Sequence, residues 1–279
     1  MKTITNLLIE KYREYLMNEE KAPATINKYI HDMLVFSAWI SGAEVTKTEV
    51  LKYKQQLIEE YAPASVNSVI SSLNSFFVFN EWYDCRVKLL KIQKQIFADK
   101  NKELTKAEYS RLLTAAQKKK NQKLYYLMQT ICSSGIRISE LKFVTAEAVK
   151  AKQAVIRCKG KTRIVILPKQ LCKILKIYIK ENNIHNGPVF VTRSGKPLDR
   201  SNIWRLMKGL CESAGVSKDK VFPHNLRHLF ARTYYSIQKD IVRLADILGH
   251  SSINTTRIYT KETGEIHRSQ IQKLGLLRC

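Results

Sequence analysis

The sequence predicts a mainly α fold with one small antiparallel β-sheet, an α+β chain made of an N-terminal helical bundle and a larger C-terminal domain. Three observations lead there. A proline-led helix motif occurs twice at a spacing of 40 residues, Ala22-Pro23-Ala24-Thr25-Ile26-Asn27 being answered by Ala62-Pro63-Ala64-Ser65-Val66-Asn67. A pair of β-branched runs flanks a Lys159-Gly160-Lys161-Thr162 tip between Gln153 and Pro168. The charge balance also changes along the chain. Residues 1–98 carry 12 basic and 11 acidic side chains, whereas residues 99–279 carry 36 and 13.

In the front part, Ile26, Tyr29, Ile30, Met33 and Phe36 recur at the steps of one helix face, and Val66, Val69, Ile70, Leu73 and Phe76 repeat the pattern. Proline suits the first turn of such a helix, where its missing N–H costs no hydrogen bond. Amphipathic stretches near residues 5–17 and 47–60 precede the two copies. About four helices, paired as two hairpins, therefore close on one core. Two copies are too few for a solenoid. Periodicity fades after Asp84 and restarts at Leu104-Thr105-Lys106-Ala107-Glu108, where Thr105 and Glu108 have capping-box spacing. The expected division is a first domain at 1–97, a linker at 98–103 and a second domain at 104–279.

Four short motifs mark the basic part. An apolar helix face of Leu124, Leu127, Met128 and Ile131 ends at Gly135, a natural C-cap, and a new helix is expected near Ser139. Arg137 is left in the joint between them. Residues 153–168 read as a β-hairpin with a cationic tip suited to a phosphate or a groove. In Pro223-His224-Asn225-Leu226-Arg227-His228, His224 and Arg227 stand three apart on one helix face. An arginine there repels a cation, so the pair suits an anion better than zinc. Finally, Gly249 ends one helix before His250, and Ser251 and Ser252 can cap the next, which is expected to carry Tyr259.

Composition narrows the chemistry. The net charge is +24, and 44% of residues are hydrophobic, which argues against wholesale disorder. No apolar run approaches the ~18 residues of a membrane span, and the N-terminal stretch lacks a signal-peptide core. The six cysteines are scattered without a CxxC pair, so a secreted disulfide framework and a zinc ribbon are both poor readings, and the cytoplasm is expected. A field of this sign attracts nucleic acid, with binding that weakens in salt. Acidic residues are too sparse to hold the cations of two-metal phosphoryl transfer, so no metal and no cofactor are expected. Arginine forks can instead grip phosphodiester oxygens, each charge-assisted bond contributing roughly 1.5–3 kcal/mol. A lysine or histidine protonates the departing oxygen, and a tyrosine attacks. The implied chemistry is metal-free attack on a DNA phosphate with a covalent phosphotyrosine.

These motifs, in this order, resemble the tyrosine recombinase (phage integrase) family, and in size the chain is most similar to its Xer-like members. The likeness is specific over Gly135–Leu141, Pro223–His228 and Leu248–Tyr259, and weaker over residues 1–95. It implies an N-terminal core-site-binding bundle and a C-terminal tyrosine recombinase catalytic domain that together clamp double-stranded DNA. It assigns Arg137, Lys159, His224, Arg227 and His250 to catalysis, Tyr259 as nucleophile and Glu140 as a supporting residue. Cys158 stands where the family often has glycine, and Lys161 shares the hairpin tip with Lys159, so either lysine can be the acid.

The resemblance also implies a homotetramer on two recombination sites. Strands are exchanged through a Holliday junction with 3′-phosphotyrosyl bonds and free 5′-hydroxyls, without ATP or metal. The tail beyond Tyr259, with Ile266, Ile271, Leu274, Leu276 and Leu277, is expected to dock on a neighbouring protomer. The enzyme would act in the cytoplasm, at the nucleoid, on a mobile element or a chromosome. The sequence names no accessory factor. Three other readings compete. A type IB topoisomerase or hairpin-end resolvase shares the pocket, a non-catalytic DNA-binding protein keeps only the clamp, and a metal-dependent transposase or nuclease needs carboxylates. The front bundle and the short tail favour recombination.

Overall fold

The computed structural model describes residues 1–92, 100–158, 161–192, 194–259 and 272–273. The chain divides into two compact units, Met1–Lys94 and Gln95–Cys279.

The first unit contains α1 (Asn6–Asn18), α2 (Pro23–Ile40), α3 (Lys47–Glu60) and α4 (Pro63–Phe79). The sequence echo is a structural repeat of one capping scheme. Thr5 and Thr46 accept the Leu8 and Glu49 amides at the starts of α1 and α3, while Pro23 and Pro63 open α2 and α4. Ile26, Ile30, Met33 and Phe36 of α2 are buried, as are Val66, Ile70, Leu73 and Phe76 of α4. Each such side chain contributes roughly 1.5–3 kcal/mol by leaving water. One charge lies among them. Asp32 is buried, takes a 2.5 Å hydrogen bond from Ser72 Oγ and pairs with Lys28, so its carboxylate is not left uncompensated.

Beyond α4 the chain is fastened by two asparagines seven residues apart on that helix. The Asn74 amide donates to the Val87 carbonyl at 2.9 Å and accepts the Val87 N–H at 3.1 Å. Asn67 does the same to Leu90 at 2.9 and 2.7 Å. These side chains stand in for a neighbouring strand, which explains how residues without helical periodicity stay ordered.

The second unit begins with α5 (Lys106–Lys118), opened by the Thr105–Glu108 capping box, and α6 (Gln122–Ser134). A 3-10 segment follows at Ile138–Phe143, then α7 (Ala146–Ala151), the strands β1 (Gln153–Cys158) and β2 (Lys161–Ile166), and α8 (Lys169–Glu181). The remaining helices are α9 (Arg200–Lys208), α10 (Cys211–Ala214), α11 (Pro223–Gln238), α12 (Ile241–Leu248) and α13 (Ile253–Thr256), and a 3-10 turn covers Arg257–Tyr259. The fold is thus mostly helical with a two-stranded antiparallel sheet among the described residues, its register running from Gln153↔Ile166 to Cys158↔Lys161. The inner face of that hairpin buries Ala154, Ile156 and Val165, while Ile164 and Ile166 face out.

Part of the expected linker is ordered. Lys100–Lys102 forms a 3-10 turn, and the Lys102 and Leu104 carbonyls accept from Asn225 Nδ2 (2.9 Å) and Arg232 Nη2 (2.7 Å) on α11. Glu103 pairs with Arg232 between them. Among the described residues no helix is long and apolar enough to cross a membrane.

Helix α6 ends against α11 at the place where the site is built. Gly135 has φ +64°, and a Cβ there would lie 2.5 Å from the Phe230 ring, so both its conformation and its closeness to α11 require glycine.

Candidate active site

Arg227 is the centre of the arrangement. Only 1% exposed, it donates from Nη1 to the Gly135 carbonyl at 2.5 Å and from Nη2 to the Leu248 carbonyl at 2.7 Å. One cation on α11 thus satisfies the C-terminal ends of α6 and α12, where helix carbonyls lack partners. Nη2 also stands 3.0 Å from His250 Nε2. A guanidinium only donates, so this imidazole nitrogen accepts and Nδ1 carries the proton, donating to Thr256 Oγ1 at 2.9 Å. Burial, with Arg137 nearby, lowers the Arg227 pKa to about 10, which leaves it charged at neutral pH.

Arg137 sits at the joint after Gly135, as the sequence reading expects. Its backbone N–H donates to Glu140 Oε2 at 2.9 Å, Nη1 donates to Glu140 Oε1 at 3.0 Å, and Nη2 donates to the Gly249 carbonyl at 2.9 Å. Its side chain is 37% exposed, so this guanidinium, unlike that of Arg227, presents itself to an incoming anion. The helix expected from Ser139 is instead the 3-10 segment beginning at Ile138, whose tighter first turn brings Glu140 back onto Arg137. Burial alone would raise the Glu140 pKa. Bonds from Arg163 and from the Arg137 backbone and side chain outweigh it and hold the carboxyl below its usual range.

Four aromatic rings border the cations. His224, in the first turn of α11, stays open to solvent, with its ring 4.4 Å from that of His228. His228 meets the Tyr259 ring edge-on at 4.8 Å and 90°, and His250 stacks beside it at 6.0 Å and 19°. Tyr259 is 3% exposed and packs with Ala231, Leu244 and Leu248. It lies on the closing 3-10 turn, not on the continuous helix expected after Ser252, because α13 lasts only from Ile253 to Thr256.

Burial, reinforced by the nearby cations, lowers the pKa of all three imidazoles. Burial first, then Arg227, Arg137 and Arg163, lower the His250 pKa to about 4. Burial, His224, Arg232 and Arg227 lower His228 to about 3. Partial burial and the charges of Arg227, Arg200 and Arg137 lower His224 as well. The sign for folding follows. Between the unfolded value of about 6.5 and these depressed values, the unfolded chain binds more protons, so stability falls as pH is lowered through that window. Melting temperature should drop steadily from pH 7 to pH 5, and His228→Gln should flatten part of that slope. Equal slopes for both chains would contradict the burial described for His228.

Among the described residues no three His, Cys, Asp or Glu side chains stand together as metal ligands. The charges that meet here are Arg137, Arg163 and Arg227 against Glu140, a setting that favours a phosphate.

A family model described as the phage integrase family matches residues 102–265, and one described as the phage integrase N-terminal SAM-like domain matches residues 9–83. The chain belongs to the phage integrase family. A tyrosine recombinase XerA from Thermococcus kodakarensis is 31% identical over 281 residues, covering 98% of this chain and 96% of that protein. A crystal structure of XerA recombinase matches with a TM-score of 0.53 at 26% identity, covering 99% and 100% of the two chains. A lambda integrase dimer bound to a COC′ core site matches in fold, with a TM-score of 0.75 at 17% identity over 94% of this chain and 79% of that one. The protein is a site-specific tyrosine recombinase, an enzyme that cleaves and rejoins DNA.

Of the positions that the family resemblance assigns, Arg137, Glu140, His224, Arg227, His250 and Tyr259 come together in one place. Lys159 lies outside the described residues, and Lys161 is placed only as the first residue of β2. The tail expected to dock on a neighbour also lies outside them, apart from residues 272–273.

Two residues in this integrase pocket escaped the sequence reading. His228 follows His224 by one helical turn. Arg163 lies on the hairpin face that buries Val165, donating from Nη2 to Glu140 Oε2 at 2.6 Å and from Nη1 to the Ile247 carbonyl at 2.9 Å. The available signal was an arginine two residues from a buried valine, since a charge on the inner face of a strand needs a partner. Arg163 also explains the glycine before His250. Gly249 has φ +62°, and a Cβ there would fall 2.4 Å from Arg163 Cδ. Gly249→Ala should therefore cost about 2 kcal/mol or more in thermal unfolding, from left-handed strain plus displacement of Arg163. An unchanged melting temperature would contradict this packing.

Proposed function

We propose that this recombinase cleaves DNA with Tyr259 as nucleophile, in a pocket where Arg137 and Arg227 balance the charge of the scissile phosphate. The reading is carried by the convergence of the Arg137, Arg227, His250 and Tyr259 side chains from three separate stretches of the chain. The Tyr259 oxygen attacks phosphorus, the bond to the 5′-oxygen breaks, and a 3′-phosphotyrosyl ester stores the bond energy for rejoining. Lys159, or Lys161 beside it, gives a proton to the leaving 5′-oxygen. Neutral His224, open to solvent, takes the phenol proton, whereas both His250 nitrogens are already engaged by Arg227 and Thr256. Preorganised guanidinium groups matter most as negative charge builds on the five-coordinate phosphorus.

Tyr259 is held beside the cations yet shielded from solvent, so engagement of DNA requires the segment after Gly249 to shift outward. On double-stranded DNA, residues 1–97 read the core site and residues 104–279 carry the chemistry. The working assembly is a homotetramer that passes through a Holliday junction, with each tail docked on a neighbour. It acts in the cytoplasm and needs neither ATP nor metal.

The test is strand exchange between two labelled duplexes bearing the cognate site, in EDTA. Recombinant strands and a Holliday intermediate are expected at an undiminished rate. Loss of cleavage in EDTA would favour a metal-dependent nuclease, and plasmid relaxation without exchange would favour a topoisomerase.

A further inference from the structure

Arg163 has no role in the chemistry just described, yet it ties Glu140 to the corner from Ile247 to Gly249. Its side chain is 17% exposed and lies on β2, opposite Ile156 in the hairpin register. Nη2 donates to Glu140 Oε2, the oxygen that also accepts the Arg137 backbone N–H, while Glu140 Oε1 accepts Arg137 Nη1. Nη1 holds the Ile247 carbonyl at the end of α12, and the aliphatic stem crosses the spot left bare by Gly249. Arg137 closes the ring by donating to the Gly249 carbonyl.

Two consequences follow from charge and geometry. Alone with Arg137, the Glu140 carboxylate would cancel the positive charge meant for the phosphate. With Arg163 bound to the same carboxylate, the trio keeps a net positive charge, carried to the solvent side by the more exposed Arg137. Arg163 also fixes the backbone from Ile247 to Gly249, and His250 follows directly.

We propose that Arg163 is a positioning residue for strand cleavage. Acting through Glu140, it orients the Arg137 guanidinium and keeps its charge available, and through Ile247 and Gly249 it sets the corner that bears His250. This rests on the reading of Arg137 as the cation that meets the scissile phosphate.

The experiment compares the wild-type chain with its Arg163→Ala, Arg163→Lys and Arg137→Ala variants. Each is assayed for melting temperature, DNA affinity and single-turnover cleavage of a nicked suicide duplex. The duplex is made twice, once with a normal scissile phosphodiester and once with a methylphosphonate, whose methyl group removes the negative charge that the arginines balance. Arg163→Ala should bind DNA within about 3-fold of wild type and cleave the phosphodiester about 30-fold more slowly. Its deficit should shrink to about 3-fold on the methylphosphonate, as should that of Arg137→Ala, because less cationic help is needed there.

Arg163→Lys should recover part of the rate, since an ammonium can reach Glu140 or Ile247 but lacks the fork to hold both. An equal deficit on both substrates, in step with a lowered melting temperature, would make Arg163 structural and overturn the proposal. So would a wild-type rate. If Arg137→Ala also showed no shrinkage, the fault would lie with the reading of Arg137 instead. Should Arg163→Ala fail to fold, the same comparison is made with Arg163→Lys, whose deficit must then be larger on the phosphodiester.

Discussion

A Tyr259→Phe chain should form no covalent DNA adduct, a loss of about 10⁴-fold or more in single-turnover cleavage, because no other group replaces the phenol oxygen as nucleophile. The substitution isolates chemistry from folding. Phenylalanine keeps the ring that packs with Ala231, Leu244 and Leu248 and that meets His228 and His250. Melting temperature and DNA affinity should therefore stay close to wild type. A Phe variant that still formed adduct would move the nucleophile elsewhere. One that lost adduct together with stability would leave Tyr259 a core residue.

The second large effect separates the two arginines, which the sequence motifs present as equals. Arg137→Ala should bind DNA within about 3-fold of wild type yet cleave about 10³-fold more slowly, since its exposed guanidinium acts mainly on the transition state. Arg227→Ala should behave differently. It strips the Gly135 and Leu248 carbonyls of a buried donor and leaves His250 Nε2 without its partner. A folding loss of about 3 kcal/mol or more should accompany the loss of cleavage. Thermal melts, titration with labelled duplex and single-turnover cleavage distinguish the two outcomes. Equal stability losses would mean that Arg137 is as structural as Arg227. A stable Arg227→Ala chain would contradict the carbonyl-capping role.

The first unit was legible because its information is local. Proline starts, threonine caps and three-to-four periodicity are each written within a few residues, and α2 and α4 begin at the two prolines. Cross-chain features were not written this way. Asn67 and Asn74 read as ordinary polar helix residues, and nothing near them announces that their amides hold the backbone at Leu90 and Val87.

The site shows the same division. Its residue types and order appear in the motifs, but their division of labour does not. Burial decides that Arg227 organises carbonyls while Arg137 stays available, and burial is a property of the packed chain. In the sequence Arg163 reads as one more charge in a basic hairpin, because the partner that gives it meaning, Glu140, lies 23 residues earlier. The short α13 departs from the expected longer helix for a local reason. Ser252 caps the helix as expected, but the α-helical pattern stops at Thr256, whose hydroxyl bonds to His250 Nδ1, and the chain tightens into the 3-10 turn that brings Tyr259 onto His228.

The most direct test is to trap the protein on a nicked duplex in EDTA, digest the complex, and sequence the DNA-linked peptide by mass spectrometry. The expected adduct is a single phosphodiester joining the Tyr259 oxygen to the 3′ end of the cleaved strand. Attachment at any other side chain, linkage to a 5′ end, or cleavage only after a divalent cation is restored would contradict the mechanism.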